Sequence, residues 1–429
     1  MLAGLFVTFI VLLLLGAPIA VGLGTSSLLT ADFFDAISVT SFTKVATNGF
    51  NSYLLVACPL FTFAGDIMAK GGISKRLVNV SKIFFGNITG GIGIVAVIGC
   101  MIFAAISGTG SATVAAIGML MIPEMVQNGY DRSYGTGLVA CAGTIGTMIP
   151  PSVCMVVYAV AAGVSVTSMF TAGIPAGVVM GLALILYCYF SSHKRGYRPI
   201  EKVHYSGKVI AHTILDAVPA LLVPIIILGG IYSGKVTPTE SAALGCVVGI
   251  IVSLFIYKEV SFKALPYLAM HSITISAPVM FIISMSSGFG SILSIERVPE
   301  TVAQMILSIT DSKIVLLMII NILYLFMGTF METNASIILM TPILLPVVEA
   351  VGVSPVHFGI ITIVNLAIGF VTPPLGANLF MASAIGGVPL NKLAKDVWPW
   401  IGVMIAALLL ITYWPDLTLF LPKLMGYTV

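Results

Sequence analysis

Charged side chains are scarce in this chain. Asp, Glu, Lys and Arg make up only 8% of its 429 residues, against about 25% in a soluble domain. Hydrophobic residues make up 59%, and the mean hydropathy is +1.12. Apolar stretches of about 20 residues, the length that spans a bilayer core, recur from end to end. The composition excludes a soluble domain and predicts an all-α polytopic membrane protein.

Other absences narrow the function. The net charge is only +3, and no basic patch interleaves with aromatics, which excludes nucleic acid as a partner. The six cysteines form no CxxC pair and are expected to be buried as small apolar residues. Neither an HExxH nor a GxSxG signature is present, so the chain is predicted not to be an enzyme and to need no cofactor. The first 17 residues lack a cationic region, which favours a retained helix over a cleaved signal.

One motif occurs twice, 223 residues apart. The shared residues are prolines, glycines and one isoleucine, and they align without a gap: Pro123 with Pro346, Gly129 with Gly352, Ile145 with Ile368, Gly146 with Gly369, Pro150 with Pro373, and Pro151 with Pro374. Each copy has a small polar cluster, then an apolar arm, then a glycine-proline break. Polar and helix-breaking residues inside a membrane indicate backbone that is free to bind something.

The motif divides the chain into segments. Paired apolar segments around a polar tip predict two re-entrant helical hairpins of half-length helices, at 90–128 and 313–350. The following segments, 133–165 and 355–387, are predicted to be helices broken within the membrane at Pro150, Pro151, Pro373 and Pro374. We expect 90–165 and 313–387 to form a transport domain. The scaffold is predicted at 1–89, at 166–312 with a cytoplasmic loop at 192–208, and at 388–429.

The placement of charge predicts how the two copies are oriented. Lysine and arginine concentrate in 70–82 and 192–208, which the positive-inside rule places in the cytoplasm. The equivalent of 70–82 in the second half is 293–305, which holds Glu296, Arg297 and Glu300 instead of a basic cluster. The two copies are therefore predicted to be inverted repeats, the arrangement of many secondary transporters.

The polar clusters suggest cation sites. Glycine and proline free backbone carbonyls from helical hydrogen bonds, and hard cations prefer carbonyl and hydroxyl oxygens. The first cluster, 107–111, belongs with the break at 143–147. The second comprises Thr329, Glu332, Thr333, Asn334 and Ser336, with Gly369, Thr372, Gly376 and Asn378 at its break. Alternatively, the small residues only allow helices to pack closely.

Helix N-termini at the hairpin tips are suited to a carboxylate. A substrate between the tips is predicted to hydrogen-bond Ser111, Thr147, Asn334 and Asn378. Glu332 is the one acid within a tip, and intramembrane acids are often functional. Its sequence position leaves three roles open: a cation ligand, a proton carrier, or a cap on the following helix.

Other polar residues in apolar segments have local explanations. Thr237 and Glu240 predict a capping box around Pro238. Asp66 and Lys70 are four residues apart, which favours a structural ion pair on one helix. His271 and His357 are expected to be satisfied core histidines.

Five stretches resemble the large membrane subunit of tripartite ATP-independent periplasmic (TRAP) transporters, the DctM-like family. They are SGTGSATVAAIG (107–118), GTIGTMIPPS (143–152), PTESAALG (238–245), GTFMETNAS (328–336) and IGFVTPPLGANLF (368–380). The resemblance covers essentially the whole chain and is strongest to the sialic-acid branch. It implies the ion-transporter superfamily fold and an elevator mechanism.

The resemblance also implies function and partners. The function implied is Na⁺-coupled uptake of an organic acid, with sialic acid favoured and a C4-dicarboxylate next. The partners implied are a periplasmic substrate-binding protein that delivers the acid and a small four-helix membrane subunit that completes the permease. The location implied is the bacterial inner membrane, with multiple passes through the lipid bilayer. The Na⁺ sites implied by position involve Ser107, Gly108, Ser111, Gly143, Gly146, Gly328, Glu332, Thr333, Asn334, Gly369 and Thr372.

Three other function classes are to be weighed against Na⁺-coupled transport. A proton-coupled organic-anion carrier would use Glu332. A channel would need a continuous pore, which two broken-helix sites argue against. An intramembrane enzyme would need a nucleophile–base pair or a metal motif, and the sequence shows neither.

Overall fold

The structure is a computed structural model that describes residues 1–34, 38–199, 205–298, 301–302, 304–305 and 312–427. These residues form helices and connecting loops, with no strand among them. Part of the predicted loop 192–208 and Glu300 lie outside the described residues. The α-helices are α1 (Leu2–Leu14), α2 (Ile19–Phe34), α3 (Val39–Phe50), α4 (Ala57–Lys70), α5 (Ile73–Phe85), α6 (Gly91–Ser107), α7 (Gly110–Gln127), α8 (Arg132–Gly143), α9 (Val153–Ala162), α10 (Val166–Arg195), α11 (Gly207–Tyr232), α12 (Pro238–Ile251), α13 (Leu265–Ile295), α14 (Lys313–Phe330), α15 (Thr333–Ala350), α16 (Pro355–Gly369), α17 (Ala377–Gly386), α18 (Leu390–Tyr413) and α19 (Pro415–Leu424).

The helices are those of a polytopic membrane protein. Within the described residues, eight helices are long and apolar enough to cross a membrane. One of the longest is α10, whose 30 residues extend over about 45 Å at 1.5 Å per residue. The all-α membrane class predicted from composition is confirmed.

Each copy of the repeated motif forms a helix pair followed by an interrupted helix. In the first copy, α6 and α7 meet at Gly108, and α8 continues through a 3₁₀ turn, Thr144–Thr147, to α9. In the second copy, α14 and α15 form the pair, and α16 and α17 form the interrupted helix. Both proline pairs, Pro150-Pro151 and Pro373-Pro374, have cis peptide bonds. The arms α14 and α15 have 18 residues each, longer than the half-length helices expected.

The two interrupted helices run in opposite directions. At the start of α8, Arg132 Nη1 donates to the carbonyl of Gly386, at the end of α17, over 3.3 Å. At the end of α9, Tyr158 Oη donates to the carbonyl of Pro355, at the start of α16, over 2.7 Å. Each helix therefore begins where the other ends, and the breaks lie between these two contacts.

The two basic stretches lie at one end of the molecule. Gly90, just after α5, donates its amide to the carbonyl of Tyr197 over 3.1 Å, just after α10. Tyr130, at the end of the first helix pair, stacks on Tyr197 with ring centroids 4.4 Å apart. The basic residues of α5 and of the end of α10 therefore share one side, as the positive-inside rule requires.

Packing separates the helices into two groups. One group contains α2, α3 and α4 around α13, with α12 against α4 and α11 against α12. The other contains both helix pairs and both interrupted helices. The long helices α10 and α18 pack against α6, α8 and α16 of this second group. Which helices form the scaffold stays a prediction.

The helix α5 connects the two groups. Near its start, Arg76 pairs with Asp216 of α11 at 3.1 Å and with Glu259, before α13, at 2.7 Å. The Arg76 guanidinium also lies 3.6 Å from the centre of the Tyr257 ring. Near its end, Lys82 pairs with Glu124 of α7. One end of α5 is thus held by α11 and the α12–α13 connection, and the other by the first helix pair.

Several local predictions can be checked directly. Thr237 and Glu240 form the predicted capping box at the start of α12. His357 is a satisfied core histidine, since its ring nitrogens contact Thr418 Oγ1 at 2.7 Å and the Thr412 carbonyl at 3.2 Å. All six cysteines are buried and free. These predictions are confirmed.

Candidate transport site

The tip of the first helix pair lies against the break in α8–α9. Ser107 Oγ and Thr113 Oγ1 are 2.9 Å apart, and Thr113 Oγ1 donates to the carbonyl of Thr109 at 2.9 Å. A Cβ added to Gly146 would lie 2.4 Å from both the Thr109 carbonyl oxygen and Thr113 Oγ1. Only glycine allows this approach, so two tip oxygens face the backbone of the break.

A second set of contacts holds this tip on the start of α9. Gly108 has a φ of +64°, and an added Cβ would lie 2.6 Å from the carbonyl oxygen of Pro151. The Gly108 carbonyl accepts from the amide of Val153 at 3.2 Å. Ser152 caps α9 and donates its hydroxyl to the carbonyl of Thr147 at 2.7 Å. Gly108 therefore combines a turn that favours glycine with close contact to the break.

The second tip repeats the glycine contact with different residues. A Cβ added to Gly369 would lie 2.5 Å from Gly328 Cα and 2.8 Å from its carbonyl oxygen. Thr372 Oγ1 donates to the carbonyl of Ile368 at 2.8 Å. The amide of Asn378 donates across the break to the carbonyl of Phe370 at 3.0 Å. Both tips thus meet their own break through glycine.

Glu332 caps α15. One of its carboxylate oxygens accepts from the amide of Ala335 at 2.9 Å, and the other accepts from Asn334 Nδ2 at 2.8 Å. The residue is exposed at the surface of the single chain. Of the three roles left open by the sequence, the geometry shows the cap.

The first turn of α15 carries buried oxygens without hydrogen-bond partners among the described residues. They are Thr333 Oγ1, Asn334 Oδ1 and Ser336 Oγ. Buried polar atoms are nearly always hydrogen-bonded, so each unpaired one needs an explanation. Hydroxyl and amide oxygens of this kind suit a hard cation. The described residues contain no cluster of three or more His, Cys, Asp or Glu suited to a transition metal.

Asn378 connects the two halves. Its side chain is fully buried, and neither its amide nitrogen nor its amide oxygen has a partner within the described residues. A Cβ added to Gly110, the first residue of α7, would lie 2.9 Å from Asn378 Nδ2. The polar side chain of one break therefore lies against the tip of the opposite half.

One cavity lies between the two helix groups. Its volume is about 440 Å³, within the range of about 300–1,000 Å³ typical of small-molecule sites. Ser107, Thr109 and Ser111 line it at the first tip, and α4, the start of α5 and α13 line the other side. Lys70 and Lys75 also line it, so the cavity extends toward the end that carries the basic stretches.

The structure does not bring all the predicted substrate residues together. Of the four, only Ser111 lines this cavity. Thr147 is buried and donates its hydroxyl to the carbonyl of Thr144 at 2.9 Å. Asn334 and Asn378 are buried elsewhere, at the second tip and against Gly110.

Gly143 has a packing role at its position. A Cβ added to it would lie 2.2 Å from Val114 Cγ2. Its small size therefore allows α8 to lie directly on α7, the alternative that the sequence left open for such glycines.

Sequence reasoning missed part of the cavity wall. Asp66 does not pair with Lys70: its carboxylate accepts from Ser272 Oγ and contacts His271 Nδ1, each at 2.8 Å. The side chain of His271 is 50% exposed, so it is not a core histidine. Lys70 instead lies 4.8 Å from the centre of the Tyr267 ring. The sequence signal that could have identified this wall is Asp66, an acid inside an apolar segment.

Known proteins resemble this chain along its length. It is 45% identical over 416 residues to the isethionate TRAP transporter permease protein DctMQ of Oleidesulfovibrio alaskensis, covering 97% of this chain and 65% of that protein. It is 38% identical to the C4-dicarboxylate TRAP transporter large permease protein DctM of Pseudomonas aeruginosa, covering 94% of each chain. It is 34% identical to the sialic acid TRAP transporter large permease protein SiaM of Vibrio cholerae, covering 97% of each chain.

The fold also matches a solved structure. The YdaH transporter of Alcanivorax borkumensis superposes with a TM-score of 0.65, covering 96% of this chain and 98% of that one, at 13% identity. At that identity, the match concerns the fold alone. The sequence pattern of the family described as "Tripartite ATP-independent periplasmic transporter, DctM component" matches residues 6–417. The chain therefore belongs to the DctM family of TRAP transporter membrane subunits.

Proposed function

We propose that this chain couples a Na⁺ gradient to the uptake of an organic acid by an elevator movement. The observation that carries the proposal is the pair of helix tips, each packed through glycine against the break of an interrupted helix. Tips and breaks supply carbonyl and hydroxyl oxygens at both places. Secondary transporters use discontinuous helices of this kind to bind coupling ions and substrates.

The residues present fit a hard cation. At the first tip, the groups assigned to hold Na⁺ are the Ser107 hydroxyl and the backbone of Gly108 and Gly146, with Thr113 added to the set. At the second tip they are Thr333, Asn334 and Thr372 with the backbone of Gly328 and Gly369. The unpaired oxygens of Thr333 and Asn334 support this assignment. Na⁺ bound at the second tip would satisfy those oxygens, and Na⁺ bound at the first tip would supply positive charge beside the cavity.

The chain's own residues account for the rest of the mechanism. Gly146 and Gly369 hold each tip on its break, so that ion binding at the oxygens and tip position are linked. Ser111 presents a hydroxyl to the cavity, where it is assigned to hydrogen-bond the substrate. The antiparallel interrupted helices support the prediction of inverted repeats, in which the two tips enter from opposite sides of the membrane.

The proposed moving unit differs from the one expected from the sequence. We assign α10 and α18 to it, in addition to the helix pairs and interrupted helices, because they pack on α6, α8 and α16. The scaffold then comprises α1 to α4 and α11 to α13. The cavity lies at the boundary between the two groups, where an elevator movement would change access to it.

The substrate is proposed from the relatives. Isethionate and C4-dicarboxylates are favoured, because the relatives named for them are 45% and 38% identical. Sialic acid, favoured by the sequence alone, comes third, since the relative named for it is 34% identical. All three are small organic anions, which the lysines at the cavity would attract.

The proposed partners are a small membrane subunit and a periplasmic substrate-binding protein. The relative whose name joins DctM and DctQ is longer than this chain, which spans 65% of it. That extra length supports a second membrane component. The proposed location is the bacterial inner membrane, with the basic stretches on its cytoplasmic side, as the positive-inside rule predicts.

Uptake into proteoliposomes tests the function. The chain is reconstituted with its small subunit and binding protein, and labelled isethionate, succinate and sialic acid are supplied in turn. We expect accumulation of one of the first two when Na⁺ is outside. Uptake that is unchanged when choline replaces Na⁺ would refute the coupling, and transport of none of the three would refute the proposed substrate class.

A further inference from the structure

The cavity between the two helix groups is lined by five titratable side chains: Asp66, Lys70, Lys75, Glu259 and His271. Glu259 is paired outside the cavity, because Arg76 Nη1 lies 2.7 Å from its carboxylate, although Arg76 also binds Asp216. Neither lysine forms an ion pair with a described residue. With Glu259 paired to Arg76, the other charged groups of the cavity are two lysines and one acid, Asp66, beside His271.

Asp66 is the side chain that opposes an anion in this cavity. It lies on α4 facing the first tip, and its side chain is only 15% exposed. A partly buried carboxylate repels a neighbouring anion by more than it would in water, because the effective dielectric is lower. A carboxylate in an anion pathway therefore needs compensation.

His271 is placed to compensate it. His271 Nδ1 lies 2.8 Å from Asp66 Oδ2, and Ser272 Oγ donates to the same oxygen at 2.8 Å. The two partners come from α13 and the acid comes from α4, so the contact crosses from one scaffold helix to another. Both His271 and Asp66 also face the cavity.

We propose that His271 in its protonated form neutralises Asp66 in the wall of this cavity, so that an organic anion there meets the positive field of Lys70 and Lys75. The proposal rests on organic-acid transport for its role, and it deepens that function by naming the residues that set the charge of the pathway. His271 and Asp66 are positioning residues for charge, and no contact of either with the substrate is required.

The charge of the cavity can be measured without transport. Ala115 lines the cavity, and an Ala115→Cys variant of the full chain presents a thiol there. Its rates of modification by anionic and cationic methanethiosulfonate reagents are compared, and their ratio reports the local potential. The six native cysteines are buried, and the parent chain measures their background.

Three variants in this background distinguish charge from structure. His271→Ala is expected to lower the anion-to-cation rate ratio by about fivefold, as expected for an uncompensated charge at short range in a partly screened site. Asp66→Asn is expected to raise the ratio. The double variant Asp66→Asn/His271→Ala is expected to return to within about twofold of the parent.

A purely structural tie between α4 and α13 gives the opposite pattern. The double variant would then be at least as impaired as His271→Ala, because both partners are lost. Such a double variant would overturn the proposal. An unchanged rate ratio in His271→Ala, or a lower ratio in Asp66→Asn, would also overturn it. A Ser233→Cys variant serves as the control. Ser233 directly follows α11 and does not line the cavity, so its rate ratio should not respond to these changes.

Uptake of labelled isethionate and succinate separates this proposal from the proposed function. With transport intact in the parent, His271→Ala should reduce uptake about fivefold and the double variant should restore it, by the same charge argument. If the parent carries neither these anions nor sialic acid, the proposed function fails in its substrate class, while the thiol ratio still decides the charge of the cavity.

Discussion

Close approaches at single glycines are what place the tips on the breaks. At Gly146 an added methyl group would lie 2.4 Å from two oxygens of the first tip. At Gly369 it would lie 2.5 Å from the Cα of Gly328. Neither position has space for a side chain, so a substitution would force the tip away from the break.

Gly146→Ala is therefore expected to impair transport. Overpacking of this kind costs about 1–3 kcal/mol, and we expect Na⁺-driven uptake to fall roughly tenfold or more. The matched control is Gly229→Ala in α11, where an added Cβ meets nothing within 4 Å. Equal uptake by the two variants would show that the tip does not need its contact with Gly146.

Glu332 allows a second test at the residue scale. Because it caps α15 through Ala335, Glu332→Gln should keep Na⁺-driven uptake within a few-fold of the parent. Glu332→Ala removes the cap and is expected to destabilise the protein by about 1 kcal/mol, measured as a lower melting temperature of the purified chain.

The proton-coupled alternative makes the contrary prediction for the same residue. A carrier that moves a proton through Glu332 would lose its pH dependence and most of its uptake in Glu332→Gln. Uptake measured across a pH series, with and without Na⁺, distinguishes the two mechanisms.

Among the helices, α5 has an unusual place because it connects the two packed groups. Arg76 binds Asp216 and Glu259 and lies over the Tyr257 ring. Tyr257 in turn donates to the carbonyl of Asp216 at 2.6 Å. The planar guanidinium makes all three contacts at once, which an ammonium group cannot do in the same geometry.

Arg76→Lys is thus expected to loosen the start of α5 despite keeping the charge. We expect a lower melting temperature and faster hydrogen exchange in the amides of α5. Lys423→Ala is the control, since its ion pair with Asp416 in α19 is exposed on both sides and exposed pairs contribute little. A melting temperature unchanged in Arg76→Lys would contradict the anchoring role.

At the scale of the whole molecule, one place where the two helix groups meet is the contact of Gly65 in α4 with Ser107 of the first tip. A Cβ added to Gly65 would lie 3.5 Å from Ser107 Cβ and 2.9 Å from Ser107 Cα, so a disulfide can form here once the two backbones separate by a few tenths of an ångström. Within the scaffold, a Cβ added to Gly24 would lie 3.9 Å from Met285 Cβ. These two pairs allow a matched test of movement.

A disulfide between the groups should stop an elevator. The reduced form of Gly65→Cys/Ser107→Cys is expected to have lower uptake than the parent, because it lacks the Ser107 hydroxyl assigned to Na⁺. Oxidation is expected to abolish the remaining uptake, and reduction should restore it. In Gly24→Cys/Met285→Cys, oxidation joins α2 to α13 within the scaffold and should leave uptake unchanged. Full uptake in the oxidised first variant would show that the groups do not move apart at this contact.

Much of the fold followed from local patterns. The glycine and proline positions placed both tips and both breaks, because these residues act on the backbone wherever the rest of the chain lies. Thr237 and Glu240 predicted their capping box for the same reason. Asp66 shows where such reasoning ends, since spacing along a helix suggested Lys70 and the structure shows His271, 205 residues away.

By itself, the sequence determined the membrane class, the doubled motif and the oxygen-rich segments, since these depend on composition and on short-range backbone chemistry. Only the tertiary structure decided which residues face each other: that Ser111 alone of four predicted residues lines the cavity, that Asn378 lies against Gly110 of the opposite half, and that α10 and α18 pack on α6, α8 and α16. Apolar helices of similar length have similar sequence patterns, so the pattern does not show which helices pack together. Their partners are set by shape and by polar contacts between residues far apart in the chain.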